Sequence, residues 1–204
     1  MAREVCGRCE RPISVCICNG LRSYSAPVQI VILQTARERK HAVNTGRIVN
    51  LGISNSLILT DEDFSEQAEL AALLDKWKGK TWLLYPGDDA VTPKEMVRHS
   101  GNYGEGLLVV LDATWRKSKR MLYLSPRLTE LPRVALPESS LSSYRIRKAP
   151  GPGYLSTVEA VAACLGQAGH PAEGCRQMIQ SFERMIEFQV KAMGEETYQR
   201  NYTS

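Results

Sequence analysis

The sequence predicts an α/β protein: a mostly parallel sheet with helices on both faces, preceded by a small N-terminal cysteine knuckle. Three observations carry this prediction. Short, nearly all-apolar runs alternate with segments of helical period, as strands buried on both faces do. Four cysteines, Cys6, Cys9, Cys16 and Cys18, fall within thirteen residues. No internal repeat or low-complexity linker interrupts the 204 residues, so residues 1–26 read as the knuckle and 27–204 as one further domain.

Taken in order, Cys6-Gly-Arg-Cys9 and Cys16-Ile-Cys18 pair thiols at metal-ligand spacing. In a reducing compartment such clustering points to a metal before disulfides. Four thiolates would fill a tetrahedral ion, making it a structural zinc with no open position. Residues 27–34 (PVQIVILQ) form a β-branched strand pattern, followed by a helical stretch over 45–51 and a strand over 56–60. Residues 64–77 carry helical spacing, and 81–85 a third strand. Thr92-Pro93-Lys94-Glu95 has the cap, first-turn proline and reciprocal glutamate of a helix start. The fourth strand, 107–111 (LLVVL), is closed by Asp112-Ala113-Thr114-Trp115, and a helix begins at Arg116. A fifth strand over 133–136 leads into a Ser-, Pro- and Gly-rich loop, and two helices start near Thr157 and Ala172. Cys175, Ile179, Phe182, Ile186, Val190 and Met193 trace one face of the last helix, so Cys175 belongs to the core, as does Cys164.

Composition narrows the function. Hydrophobic content of 43% and charged content of 24% are globular values. No apolar run approaches a membrane span and the start lacks a signal peptide, which predicts a soluble cytoplasmic protein without membrane partners. The net charge of +4 is unevenly spread: residues 114–148 hold nine Lys/Arg against Glu130 and Glu138, a net +7. Such a stripe fits a polyanionic partner, or else a solvated helix face. Neither G-x-G-x-x-G nor a P-loop occurs, which disfavours dinucleotide and P-loop NTP chemistry.

Ligands of open parallel sheets sit beyond the carboxyl ends of the strands. Three unusual segments stand there: Tyr85-Pro86-Gly87, Asp112 to Trp115, and the loop into Ser156. A carboxylate directly after five apolar residues is costly unless partnered or used, which singles out Asp112. Thr114 is equally able to cap the next helix. Trp115 either packs in the core or stacks on a base or sulfonium ligand. Ser156 and Glu159 fit a capping box around Thr157, yet Gly151-Pro152-Gly153 also leaves open backbone for a carboxylate there. Asn44-Thr45-Gly46-Arg47 reads as a helix cap or a phosphate contact. Lys117, Lys119 and Arg120 directly follow the Asp112 segment, so a polyanion drawn to them is drawn to the site.

Together these residues resemble the DTW-domain family of tRNA-uridine aminocarboxypropyltransferases, related to the knotted SPOUT superfamily. The resemblance spans Cys6 to the last helix and rests on Asp112-Ala113-Thr114-Trp115, the four cysteines, Asn44 to Arg47, Tyr85-Pro86-Gly87 and Leu155 to Ala160. Where the family often has His-Pro after the first strand, this chain has Thr35-Ala36.

The resemblance implies a SPOUT-like fold with a C-terminal knot, an exception to the unknotted rule. It implies transfer of the 3-amino-3-carboxypropyl group of S-adenosylmethionine to N3 of a tRNA uridine, in the variable loop if bacterial members are the guide, with methylthioadenosine released. Asp112, Thr114 and Trp115 would then be catalytic. Tyr85, Pro86, Gly87, Leu111, Tyr144, Ser156, Thr157 and Glu159 would hold the donor. Asn44, Thr45, Arg47, Lys117, Lys119, Arg120, Arg145 and Lys148 would meet the RNA. Asp112 either takes the N3 proton or binds the donor's ammonium group. Rival readings are a SPOUT-type RNA methyltransferase and a non-catalytic zinc-knuckle RNA-binding protein.

Overall fold

The computed structural model describes residues 4–136, 155–194 and 197. Five strands, β1 (Gln29–Gln34), β2 (Ser56–Thr60), β3 (Thr81–Leu84), β4 (Leu107–Asp112) and β5 (Arg133–Val134), form one sheet in the order β2-β1-β4-β3-β5. Every pairing is parallel. The helices are α1 (Ala36–Arg39), α2 (Gly46–Gly52), α3 (Ala68–Lys76), α4 (Pro93–Ser100), α5 (Trp115–Leu124), α6 (Pro126–Thr129), α7 (Thr157–Gln167) and α8 (Ala172–Met193). The expected strands and longer helices are all present. The one-turn helices α1 and α6 are additions that no periodic pattern announces.

Helices cover both faces, and the strand alternation decides which core each residue enters. Ile30, Ile32, Leu108 and Val110 pack with α2, α4, α7 and α8. Val31, Leu33, Leu107 and Val109 pack with α3, α5 and α6. Residues 30–33 of β1 are fully buried, each worth roughly 1.5–3 kcal/mol of burial. Because both faces of β1 are apolar, hydrophobicity alone would not resist a register slip. Its polar ends pin it: Trp77 Nε1 donates to Gln29 Oε1 at 3.0 Å, and Gln34 donates to Asp112.

Three helix starts show why the chain turns where it does. The Thr92–Glu95 and Ser156–Glu159 capping boxes are both formed, opening α4 and α7. Asn44 Oδ1 accepts from Arg47 N at 2.8 Å at the start of α2. On α8 the buried face comprises Gly174, Met178, Ser181, Phe182, Met185 and Ile186, rotated slightly from the expected stripe. α8 packs against α7 and α2, and that pair of neighbours draws Met178 and Met185 deepest. Cys164 is fully buried, while Cys175 packs half-buried against the same core. Cys9, Ile17 and Leu21 join this core too, so the knuckle is seated on the body. No described helix is long and apolar enough to cross a membrane. The connection on which the expected C-terminal knot depends, residues 137–154, lies outside the described residues.

Candidate active site

β1 and β4 are neighbours in register, with Gln34 opposite Asp112 at their carboxyl ends. From β1 the chain leaves toward α2 on one face, and from β4 toward α5 on the other. Adjacent strands whose exits diverge open a crevice, the usual ligand position in such sheets. Asp112 stands at that switch point and is 5% exposed.

Its carboxylate is held on several sides. Gln34 Nε2 donates to Oδ2 at 2.5 Å, and Thr157 Oγ1 donates to Oδ1 at 2.6 Å. Gly46, in the first turn of α2, lies so close that a Cβ there would sit 2.6 Å from Oδ2. The carboxylate therefore faces the N-terminal ends of α2 and α7, whose partial positive charge favours an anion. An ionised carboxylate only accepts hydrogen bonds, and two donors aimed at its two oxygens suit that form. Gln34 is buried at 1% exposure. It was legible only as a polar residue ending an apolar strand, the same signal that marks Asp112.

Ser156 and Glu159 make the capping box in full. Ser156 N and Oγ both donate to Glu159 Oε2, at 2.8 and 2.6 Å, and both residues are buried. That leaves Thr157 as the member of this segment that reaches Asp112. Thr114 occupies the cap position of α5 without a side-chain cap bond, so its hydroxyl is not committed to the helix start.

A second group gathers at the end of β3. The Tyr85 and Trp115 rings lie 5.5 Å apart at 52°, and the Arg133 guanidinium sits 5.4 Å from the Tyr85 centroid. Arg133 also donates to Pro86 O at 2.7 Å, and a Cβ on Gly87 would meet its Cδ at 2.6 Å. Pro86 and Gly87 thus seat Arg133, a residue the sequence did not single out. Leu111 and Tyr85 lean on the core beneath α5. Tyr144 lies outside the described residues.

On α5, Lys117 is half-buried, with Nζ 3.5 Å from Thr35 Oγ1. With Arg116, Arg120 and Glu62 it lines a cleft of about 410 Å³ between α5 and the end of β1. Lys119 is exposed beside that cleft. Arg145 and Lys148 lie outside the described residues. Thr35, standing where the resemblance expects histidine, caps α1 by accepting from Glu38 N.

Asn44 and Arg47 have structural partners. Asn44 is buried, caps α2, and donates to Glu38 O at 3.0 Å. Thr45 is buried as well. Arg47 bonds Cys9 O at 3.1 Å and pairs with Glu10 at 2.5 Å, which anchors the knuckle to α2. These contacts give Asn44 and Arg47 the structural roles that the helix-cap reading expects.

In the knuckle the four sulfurs lie within 4.8 Å of one another, with Cys6–Cys18 at 3.9 Å and Cys9–Cys16 at 3.7 Å. A tetrahedron of thiolates at about 2.3 Å from one ion needs sulfurs about 3.8 Å apart. The donor set therefore fits a metal ion. Backbone N–H groups of Cys9 and Arg8 draw the Cys6 thiol down to about 6. Burial, then the neighbouring Cys9, pushes Cys18 up.

The DTW domain matches residues 3–190. The chain belongs to the DTW-domain family. It is 34% identical over 195 residues to tRNA-uridine aminocarboxypropyltransferase 2 of Drosophila melanogaster, covering 92% of this chain and 76% of the relative. The mouse protein of the same name is 30% identical over 168 residues, covering 80% of this chain and 56% of the relative. Arabidopsis thaliana tRNA-uridine aminocarboxypropyltransferase A is 29% identical over 216 residues, covering 93% and 82%. This DTW chain thus spans little more than half of the mouse relative. No solved structure matches it.

Proposed function

We propose that this chain moves the 3-amino-3-carboxypropyl arm of S-adenosylmethionine to N3 of a uridine in tRNA. The observation that carries the reading is a buried carboxylate at the switch-point crevice of a DTW domain whose relatives bear that transferase name. In the transfer the bond between the sulfonium sulfur and the arm's terminal carbon breaks, and its electron pair stays on sulfur as methylthioadenosine leaves. The N3 electron pair forms the new bond to that carbon, and the N3 proton goes to a base.

Asp112 is the residue proposed to receive that proton. Its hydrogen bonds from Gln34 and Thr157 support a second reading, in which it stays ionised and grips the donor's ammonium group. In either role the Thr157 hydroxyl and the start of α7 fix the carboxylate's direction, since geometry decides which carbon of the donor is attacked. Tyr85 and Trp115 offer half-buried π-faces to an adenine, a uracil or the sulfonium. Pro86, Gly87 and Leu111 would border the donor. Lys117, Lys119 and Arg120 would draw the RNA. The cysteine cluster would hold a structural zinc. The same reading carries the SPOUT-like knot.

Mass spectrometry of tRNA nucleosides after incubation with enzyme and donor tests the proposal. A uridine heavier by the aminocarboxypropyl group, with methylthioadenosine released, is expected. Methylated nucleoside with S-adenosylhomocysteine would overturn it.

A further inference from the structure

Outside the Asp112 crevice, a cleft of about 430 Å³ opens between the cysteine knuckle and the turn that joins α1 to α2. Its cations are Arg11, Arg39, Lys40 and Arg47, and its one acid, Glu10, is already paired with Arg47. Arg39 and Lys40 are exposed, and neither pairs with an acid among the described residues. Glu38, between Arg37 and Arg39, is buried.

The turn is braced, so these cations are presented from a fixed backbone. Asn44 Nδ2 donates to Glu38 O and Arg39 O, at 3.0 and 3.4 Å, and Asn44 N donates to His41 O at 3.1 Å. Arg11, from the knuckle, donates to Ala42 O and, at 3.1 Å, to Val15 O. A surface ordered in advance loses little entropy when it binds.

The cleft also lies one helical turn from the basic cleft beneath α5. Thr35, which caps α1, lines that first cleft, and Arg39, which ends α1, lines the second. A four-residue helix is only about 6 Å long, so one turn of chain separates the two. Both clefts flank the exit of β1, at the sheet end where Asp112 stands.

We propose that the cleft between the knuckle and the 38–44 turn is a second RNA-backbone groove, in which Arg39 and Lys40 hold tRNA phosphates away from the reacting uridine. The cysteine knuckle is then one wall of the substrate path as well as a folded cap. The inference rests on the reading that the substrate is tRNA. An RNA strand seated on the α5 cations would cross α1 and continue along the knuckle. There its phosphates would meet Arg39 and Lys40, which pair with no acid among the described residues.

The test is tRNA affinity measured against salt for the wild-type chain and for Arg39→Ala/Lys40→Ala, with metal content and thermal unfolding as controls on folding. Losing two phosphate contacts should flatten the slope of log K against log salt by about 1.4 to 1.8. Donor affinity should stay unchanged, and Arg39→Lys/Lys40→Arg should restore the slope. Should the double variant lose its metal, Lys40→Gln alone should flatten the slope by about 0.7 to 0.9. A wild-type slope in a folded variant would overturn the groove and leave the tRNA reading intact. A wild-type chain that neither binds nor modifies tRNA would overturn both. Wild-type binding to vesicles of phosphatidylcholine and phosphatidylserine, lost in the variant while its tRNA slope holds, would reassign the cleft to a membrane surface.

Discussion

The Asp112 crevice and the two basic clefts are built in opposite ways. In the crevice, buried polar groups are held by strand register, two helix starts and a glycine that leaves no room for a methyl group. In the clefts, long cationic side chains project from α5 and the 38–44 turn into open solvent. The first arrangement fixes side-chain directions by hydrogen bonds and packing, which bond-making needs. The second supplies charge that falls off with salt, which suits capture of a polyanion. Variants should therefore divide: losses of packing or chemistry at the crevice, graded salt-dependent losses at the clefts.

The largest structural effect lies at neither, but in the knuckle that walls one cleft. Cys9→Ser should abolish stoichiometric zinc and release the knuckle from α2, because structural metal binding and local folding are one equilibrium. Elemental analysis with hydrogen exchange over residues 4–26 checks this, and protein purified without chelator yet lacking zinc would remove the zinc assignment.

At the crevice, Gly46→Ala forces a methyl group against Asp112 Oδ2 and should cost about 1–3 kcal/mol of stability, read by denaturant unfolding. A neutral effect would mean that α2 can retreat, and the contrast between a tightly packed crevice and open clefts would fail there. At the α5 cleft, replacing Lys117, Lys119 and Arg120 with Ala should flatten the tRNA salt slope by about 2 to 3 and leave donor affinity unchanged. An unaltered slope would make the α5 stripe a solvated face.

The smallest expected effect concerns His170, buried against Tyr24 and away from both regions. Burial lowers its pKa, so the fold favours the neutral ring. Its contribution is complete above the unfolded value near 6.5 and is lost as pH falls through that value toward the lower folded one. His170→Gln should flatten the stability profile in that window, read by unfolding at a series of pH values.

Much of the fold was legible because long apolar strands and capped helices announce themselves locally. β2 occupies the expected residues 56–60, and both capping boxes formed as written. One-turn helices such as α1 and α6 are too short to show a period. Asp112 was visible because a carboxylate after LLVVL conflicts with its surroundings. The contacts of Gln34, Gly46 and Arg133 were not, since parallel pairing across 78 residues sets Gln34 against Asp112 and β5 brings Arg133 to Tyr85. Asn44 shows a different limit. A helix cap and a phosphate ligand call for the same side chain, and the hydrogen bonds of the α1–α2 turn show the cap.

If Asp112 is the base proposed above, it acts on the uracil and not mainly on the donor. Asp112→Asn keeps the shape and still allows a donor from Gln34 or Thr157 to be accepted at its carbonyl oxygen. Single-turnover transfer at saturating S-adenosylmethionine, paired with calorimetry of donor binding, tests the claim most directly. A base at Asp112 should leave donor affinity near normal in the variant, with transfer slowed by about a hundred- to ten-thousand-fold and partial recovery as rising pH ionises the uracil unaided. Donor affinity that collapses while transfer at saturation stays near normal would contradict it, and would make Asp112 the ligand of the ammonium group.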